Sequence, residues 1–307
     1  MKNEKKIAHA SLVSLIGNAF LAVSKIIIGL LSGSLAVVAD GIDSTGDILS
    51  SAIALYSAKL MSKPPTKKYP YGFAKADTIS AKTLSFIMLF AGLQLGIATV
   101  KKIMDGTTAG VPGMAAIIVT VVSIFAKWLL AWYQLKISKK TKSTMLRANA
   151  KNMQGDILIS LGVLIGLFFT MHYNNPLIDN IIALLVSAWI IKTGLGIFFE
   201  TSRDLMDGIR DESIYNDIFG AIDSVEGVYN PHRVRTRKIG PRIMVAIDIE
   251  VKGDIPLKEA HSLAHKVEQT IKEKIDDVFD VNIHVEPLGD ETREQPLGFS
   301  RENIRDG

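Results

Sequence analysis

Two pairs of oxygen-bearing side chains stand inside runs that are otherwise apolar. The first is carried by Asp43-Ser44-Thr45-Gly46-Asp47, the second by Asn152-Met153-Gln154-Gly155-Asp156. In each pair the members are four residues apart, so a helix presents both on one face. A carboxylate at the centre of a bilayer costs about 2.5–3.5 kcal/mol on insertion scales. Carboxylates gathered at one point repel each other unless a cation or protons lie between them. Two helices that bring these pairs together therefore predict a divalent-metal site of Asp43, Asp47, Asn152 and Asp156. Asn152 taken alone reads more simply as a partner in an interhelical hydrogen bond. Zinc favours imidazole and thiolate in tetrahedral sites. An all-oxygen set suits manganese, magnesium or calcium, and manganese is the compromise between magnesium's firmly held waters and calcium's larger ligand number.

The elements that must position these residues are membrane-length helices. The chain has 307 residues, 48% of them hydrophobic, and a mean hydropathy of +0.25. Six stretches, near 9–31, 34–60, 79–104, 112–137, 145–172 and 177–200, approach or exceed the roughly 20 residues a bilayer requires. The first is too long for a cleaved signal peptide and runs on into another apolar stretch. The N-terminus (Lys2, Lys5, Lys6), the 2–3 loop (Lys59, Lys63, Lys67, Lys68, Lys75) and the 4–5 loop (Lys136, Lys139, Lys140, Lys142, Arg147) are basic, while the intervening loops carry no Lys or Arg. The positive-inside rule then places both termini in the cytoplasm of a multi-pass protein of the cell (inner) membrane. Lys101 and Lys102 fall on the predicted outer side, where snorkelling accommodates them. Lys25 and Asp40 are a further buried cation and anion that could pair for structural reasons.

Charge and cysteine content exclude several classes. Residues 1–208 hold 21 Lys+Arg against 11 Asp+Glu, and residues 209–307 hold 14 against 20. The basic half is the apolar half, so juxtamembrane lysines explain it better than nucleic-acid binding does. The absence of cysteine rules out disulfides, thiolate metal sites, iron–sulfur clusters and a thiol nucleophile.

Beyond residue 208 the pattern changes to a soluble α+β layer. Residues 211–223 predict a helix with Ile214, Ile218 and Ile222 in register. Residues 232–239 and 242–251 predict strands, the second alternating Ile243, Val245, Ile247, Ile249 and Val251 against Met244, Ala246, Asp248 and Glu250. Residues 256–275 predict an amphipathic helix and 279–286 a last strand. The alternation turns Asp248, His284 and Glu286 to one exposed sheet face, with His232 on the neighbouring strand, a donor set that suits a divalent metal. His261 and His265 share a helix face. From residue 289 to 307 a polar, mobile tail is expected.

Together these features resemble the cation diffusion facilitator family of metal/proton antiporters over most of residues 8–288. Asn18, Lys25, Gly29 and Gly33-Ser34 lead into the paired acids as that family's first two spans do, and Tyr69-Pro70-Tyr71-Gly72-Phe73-Ala74-Lys75-Ala76-Asp77 is similar to its His-Pro-Tyr-Gly-His-Gly-Lys-Ala-Glu segment. The resemblance implies a transport domain (1–208) of six transmembrane helices. It also implies a cytoplasmic ferredoxin-like domain (209–288) that forms a homodimer and places His232, Asp248, His261, His284 and Glu286 as metal ligands. Lys75 and Asp207 match positions that form a charge interlock. The departures are informative: the fifth-span His of zinc members is Asn152, and Tyr69 and Phe73 replace the loop histidines. Members with Asp/Asp and Asn/Asp pairs are associated with manganese. The implied cargo is thus Mn2+ exported against protons, with Fe2+ or Zn2+ as alternatives. With no imidazole in the site, the proton must ride on Asp43, Asp47 or Asp156. A divalent-cation channel and a non-transporting metal sensor are the competing classes. An enzyme is disfavoured, because no His-Glu-x-x-His run exists and histidines are absent from the expected core of the bundle.

Overall fold

Where water is absent each backbone polar group must be satisfied within its own segment, so the apolar runs fold as helices. The computed structural model describes residues 2–61, 63–73, 75–105, 111–141, 144–209, 212–239, 242–289 and 298–300. Six long helices come first: α1 (Lys2–Ser32), α2 (Leu35–Met61), α3 (Ala76–Met104), α4 (Met114–Thr141), α5 (Thr144–His172) and α6 (Leu177–Leu205). Five of them contain a stretch long and apolar enough to cross a membrane. The exception by composition is α2, whose polar residues include Asp40, Asp43 and Asp47. Phe20, Leu31, Phe90, Leu158, Leu185 and Phe199 point outward and are more than half exposed, an apolar surface that suits a bilayer.

The chain divides into two compact units, Met1–Ser57 with Ser80–Phe199 and Ala58–Ile79 with Glu200–Gly307. In the first, α4 packs along α1 and α5, and small residues Ala36 and Ala39 of α2 join Leu84, Met88, Leu167 and Ile190 in the bundle core. Gly41 allows α2 to lie against α1, since a Cβ there would stand 2.7 Å from the Ile26 side chain. The α1–α2 turn is closed by Gly33 in the left-handed region (φ 77), with Ser34 N–H donating to the Gly29 carbonyl (3.0 Å). Ser34 then caps α2, its Oγ accepting from Val37 N–H at 3.2 Å. A second cap comes from α6: Asp179 accepts from Ser34 Oγ (2.6 Å) and Leu35 N–H (2.8 Å), a carboxylate on a helix N-terminus.

The second unit holds α7 (Ser213–Ile222), β1 (Tyr229–Ile239), β2 (Arg242–Val251), α8 (Leu257–Lys274) and β3 (Val278–Pro287), close to the boundaries the alternation predicts. The sheet order is β1-β2-β3; β1 and β2 are antiparallel, and β2 pairs parallel with β3 through the α8 crossover. Ile218 and Ile222 of α7 and Val267 and Ile271 of α8 cover the face that carries Val245, Ile247 and Ile249.

Two expectations are corrected here. The opposite sheet face is not open at its centre: Asp248 is 1% and Glu250 5% exposed. The register of β1 shifts on both sides of His232, Arg233 adopts a left-handed φ of 50°, and its guanidinium folds onto Asp248. Glu250 is taken up by Asn230 Nδ2 (2.5 Å) and Gly289 N–H (3.1 Å). The tail is also not free throughout. Phe299 exchanges two backbone hydrogen bonds with Val234 (2.9 and 3.0 Å) and sets its ring 5.0 Å from that of Tyr215. An aromatic side chain with an apolar partner gains more by docking than by staying in water.

Candidate metal-transport site

The two helical pairs meet. Asn152 Nδ2 donates to Asp47 Oδ1 at 3.2 Å, joining α5 to α2. Because the helices run antiparallel, Asp43 and Asp156 form the next rung; Asp43 is buried and lies within electrostatic reach of Asp156. A third rung follows, where Ser160 Oγ contacts both Asp40 oxygens at 3.0 and 2.9 Å. The spacing explains the ladder: 40, 43 and 47 on one helix and 152, 156 and 160 on the other each recur every three or four residues.

Two buried lysines serve this ladder. Lys25 Nζ of α1 lies 2.7 Å from Asp40 Oδ2 and 2.9 Å from Ser160 Oγ, with both charged side chains sealed from solvent at 0% and 1% exposure. Lys127 Nζ of α4 lies 3.0 Å from Asp156 Oδ2 and 2.9 Å from Ser44 Oγ. Lys25 meets Asp40 as the sequence suggests, whereas Lys127, Ser44, Ser160 and Asp179 are partners that the spacing of the acids does not point to. A lysine at the middle of an apolar span was the available signal for Lys127. Nothing in the spacing of α6 marked Asp179 as a cap for another helix.

In the second unit His232, Asp248 and Glu286 bring one ligand atom each within 4.8 Å of one another. The strand register places His232 opposite Asp248, and Asp248 opposite His284, with Glu286 two residues on along β3. His232 Nε2 stands 3.3 Å from Glu286 Oε2, and both atoms are buried without a hydrogen-bond partner among the described residues. Orphaned buried nitrogen and oxygen atoms of this kind fit a metal's donor set. His232 Nδ1 is held by the Asn230 carbonyl at 2.8 Å, which leaves Nε2 as the ligand atom. His284 reaches Glu286 at 3.4 Å from the rim. His261 is not brought to this cluster; it is exposed on α8, which packs on the other sheet face. Asp248 is shared with Arg233 and, at 3.8 Å, with Arg235, so a metal there competes with arginine.

Lys75 Nζ lies 2.8 Å from Asp207 Oδ1. Asp207 follows α6 in the left-handed region (φ 58), with Gly208 N–H returning to the Arg203 carbonyl at 2.8 Å, so a helix-ending motif aims the carboxylate. Its other oxygen takes Arg237 Nη2 at 2.5 Å, a partner the sequence did not reveal. Partial burial raises the Asp207 carboxyl, but hydrogen bonds and charge from Lys75 and Arg237 outweigh it and hold the group below the usual carboxylate range.

A bundle of lipid-facing helices with an internal carboxylate ladder, joined to a small α+β domain, defines an integral membrane protein built to handle small cations. The comparisons narrow that class. Residues 11–206 match the cation efflux transmembrane domain and residues 210–288 the cation efflux cytoplasmic domain. The chain belongs to the cation efflux, or cation diffusion facilitator, family, whose members are metal transporters and not enzymes. Similar relatives include the manganese efflux system protein MneS of Bacillus subtilis, 32% identical with 92% of this chain and 97% of that protein covered. MneP of the same organism, also a manganese efflux system protein, is 28% identical, with 92% and 96% covered. The metal-bound C-terminal domain of the CzcD transporter from Thermotoga maritima is 42% identical, covering 26% of this chain and 93% of that one, with a TM-score of 0.26.

Proposed function

We propose that this protein exports Mn2+ from the cytoplasm in exchange for protons, by alternating access around Asp43, Asp47, Asn152 and Asp156. The observation that carries the reading is the Asn152–Asp47 contact at 3.2 Å, which joins the two pairs into one set of three carboxylates and one amide. All donors are oxygen, which suits manganese over zinc by ligand hardness, and two of the relatives are manganese efflux proteins. Fe2+ has nearly the same preferences and is the first rival, with Zn2+ behind it. In this reading all six helices span the membrane, α2 tolerating its acids because they face the ladder, and both termini are cytoplasmic. A metal ion coming from the cytoplasm meets the Asn152–Asp47 rung first. The exchanged protons ride on the site carboxylates. Two copies associate through the cytoplasmic domain, and a metal at His232, Asp248 and Glu286, with His284 at the rim, biases the spans if it binds one conformation better.

The test is proton-driven flux in liposomes with Mn2+, Fe2+, Co2+ and Zn2+ side by side, for the wild type and for Asp47→Ala and Asp156→Ala. Flux of Mn2+ that depends on the proton gradient and vanishes in both folded variants is the expected result. Flux indifferent to the gradient would make the protein a channel, no flux of any metal a sensor, and wild-type flux in the variants would remove these residues from the site.

A further inference from the structure

Lys127 lies about midway along α4, about 20 Å from either end at the α-helical rise. No lysine side chain can snorkel over that distance. Its side chain is 1% exposed and its ammonium has two partners among the described residues, Asp156 Oδ2 at 3.0 Å and Ser44 Oγ at 2.9 Å. One of these is a carboxylate of the transport set; the other is the neighbour of Asp43. A divalent ion bound to that carboxylate would stand beside the ammonium in low dielectric, so the two cations repel each other and compete for the same negative charge. Charge counting gives the same picture. Asp40 is matched by Lys25. Of the remaining Asp43, Asp47 and Asp156, one negative charge is matched by Lys127, which leaves two, the charge of a single divalent ion.

We infer that Lys127 is a tethered counter-ion of the metal site: it occupies Asp156 when no metal is bound, is displaced onto Ser44 when a metal arrives, and returns when the metal leaves. It is a positioning residue that sets affinity and net charge and need not itself bind the cargo. The benefit for an exporter is release. Without it, three carboxylates would hold a divalent ion too tightly, and on its departure protons alone would have to relieve their mutual repulsion in low dielectric. This inference rests on the transport-site reading above.

The test compares Lys127→Gln, which removes the charge and keeps an N–H donor for Asp156, with Lys127→Arg, which keeps the charge. The full chain in nanodiscs is titrated with Mn2+ alone, and proton-driven Mn2+ flux is measured in liposomes. Lys127→Gln is expected to bind Mn2+ at least about five-fold tighter than wild type, a modest share of what a close unit charge contributes. Its KM and its maximal flux are both expected to fall. Lys127→Arg is expected to stay within about three-fold of the wild-type Kd. A merely structural lysine would instead lower thermal stability equally with and without Mn2+ and leave KM in place. Tightening of less than about five-fold, or any weakening, in folded Lys127→Gln overturns the inference. Asp156→Ala run in parallel separates the two failures: if it binds Mn2+ like wild type the transport-site reading fails, and if it loses binding while Lys127→Gln is unchanged only the counter-ion role fails.

Discussion

The pair Lys25–Asp40 makes a quantitative prediction because both groups are sealed from solvent, at 0% and 1% exposure, and sit 2.7 Å apart. Removing one partner strands the other. Among the described residues, Asp40 in Lys25→Met keeps only Ser160 Oγ, and the ammonium in Asp40→Asn keeps Ser160 and an amide oxygen. Breaking a buried pair by one side costs about 3–5 kcal/mol, whereas removing both charges is near neutral. Each single variant is therefore expected to lose about 3–5 kcal/mol and the double variant no more than about 1–2. That gives a coupling of at least about 4 kcal/mol, read by equilibrium unfolding in mixed micelles of sodium dodecyl sulfate. The double variant changes no net charge near Asp43, Asp47 and Asp156, so its Mn2+ flux is expected to stay within about three-fold of wild type if the pair is structural. Single costs under about 1 kcal/mol, or a double variant that merely sums them, would show that the pair does not hold the helices. A folded double variant without flux would move Lys25 and Asp40 into the transport machinery.

Asn152→His adds an imidazole to an all-oxygen site, and the ratio of Zn2+ to Mn2+ flux is expected to rise; an unchanged ratio would show that residue 152 does not set selectivity. At the interlock, Lys75 and Asp207 are 38% and 29% exposed, so a Lys75→Met/Asp207→Asn cycle is expected to show a coupling of only about 0.3–1 kcal/mol. The charge swap Lys75→Asp with Asp207→Lys should recover only part of the loss, since Arg237 would then face a lysine. Asp207 is held below its ordinary pKa, so its contribution is present above about pH 4 and disappears as pH falls below that; a coupling that persists in acid would argue against the ion pair. In the fragment 209–307, calorimetry is expected to find a Zn2+ or Mn2+ site that His232→Ala removes and His261→Ala leaves, and a loss with His261→Ala alone would place the site elsewhere.

The parts of the molecule that were legible in its sequence are those where one element carries its own signal. Asp43 and Asp47 declare a helix face by spacing alone, as do Asn152 and Asp156, and the strict alternation from Ile243 to Val251 fixes which β2 residues meet the helices. What was not legible depends on a second element at a distance. Asp179 looks like an ordinary acid in the first turn of α6, yet it caps α2 through Ser34 and Leu35. Asp248 was expected on an open face, but a left-handed Arg233 in an irregular strand brings a guanidinium onto it, and no propensity predicts that. The tail segment 298–300 docks because Phe299 finds Tyr215, 84 positions earlier in the chain.

Lys127 is the instructive intermediate case. Its position in α4 held part of the signal, because a lysine far from either interface favours an anion inside the bundle, but Lys192 shares that position in α6 and lies exposed over Trp189 instead. The helices that carry candidate anions were already marked by their acids. In the proposed site an odd number of carboxylates facing a divalent cargo leaves one negative charge for a proton or a fixed cation to match. Counting charges across spans, rather than pairs within a span, narrows the candidates to the mid-span lysines, and the structure selects Lys127, 3.0 Å from Asp156.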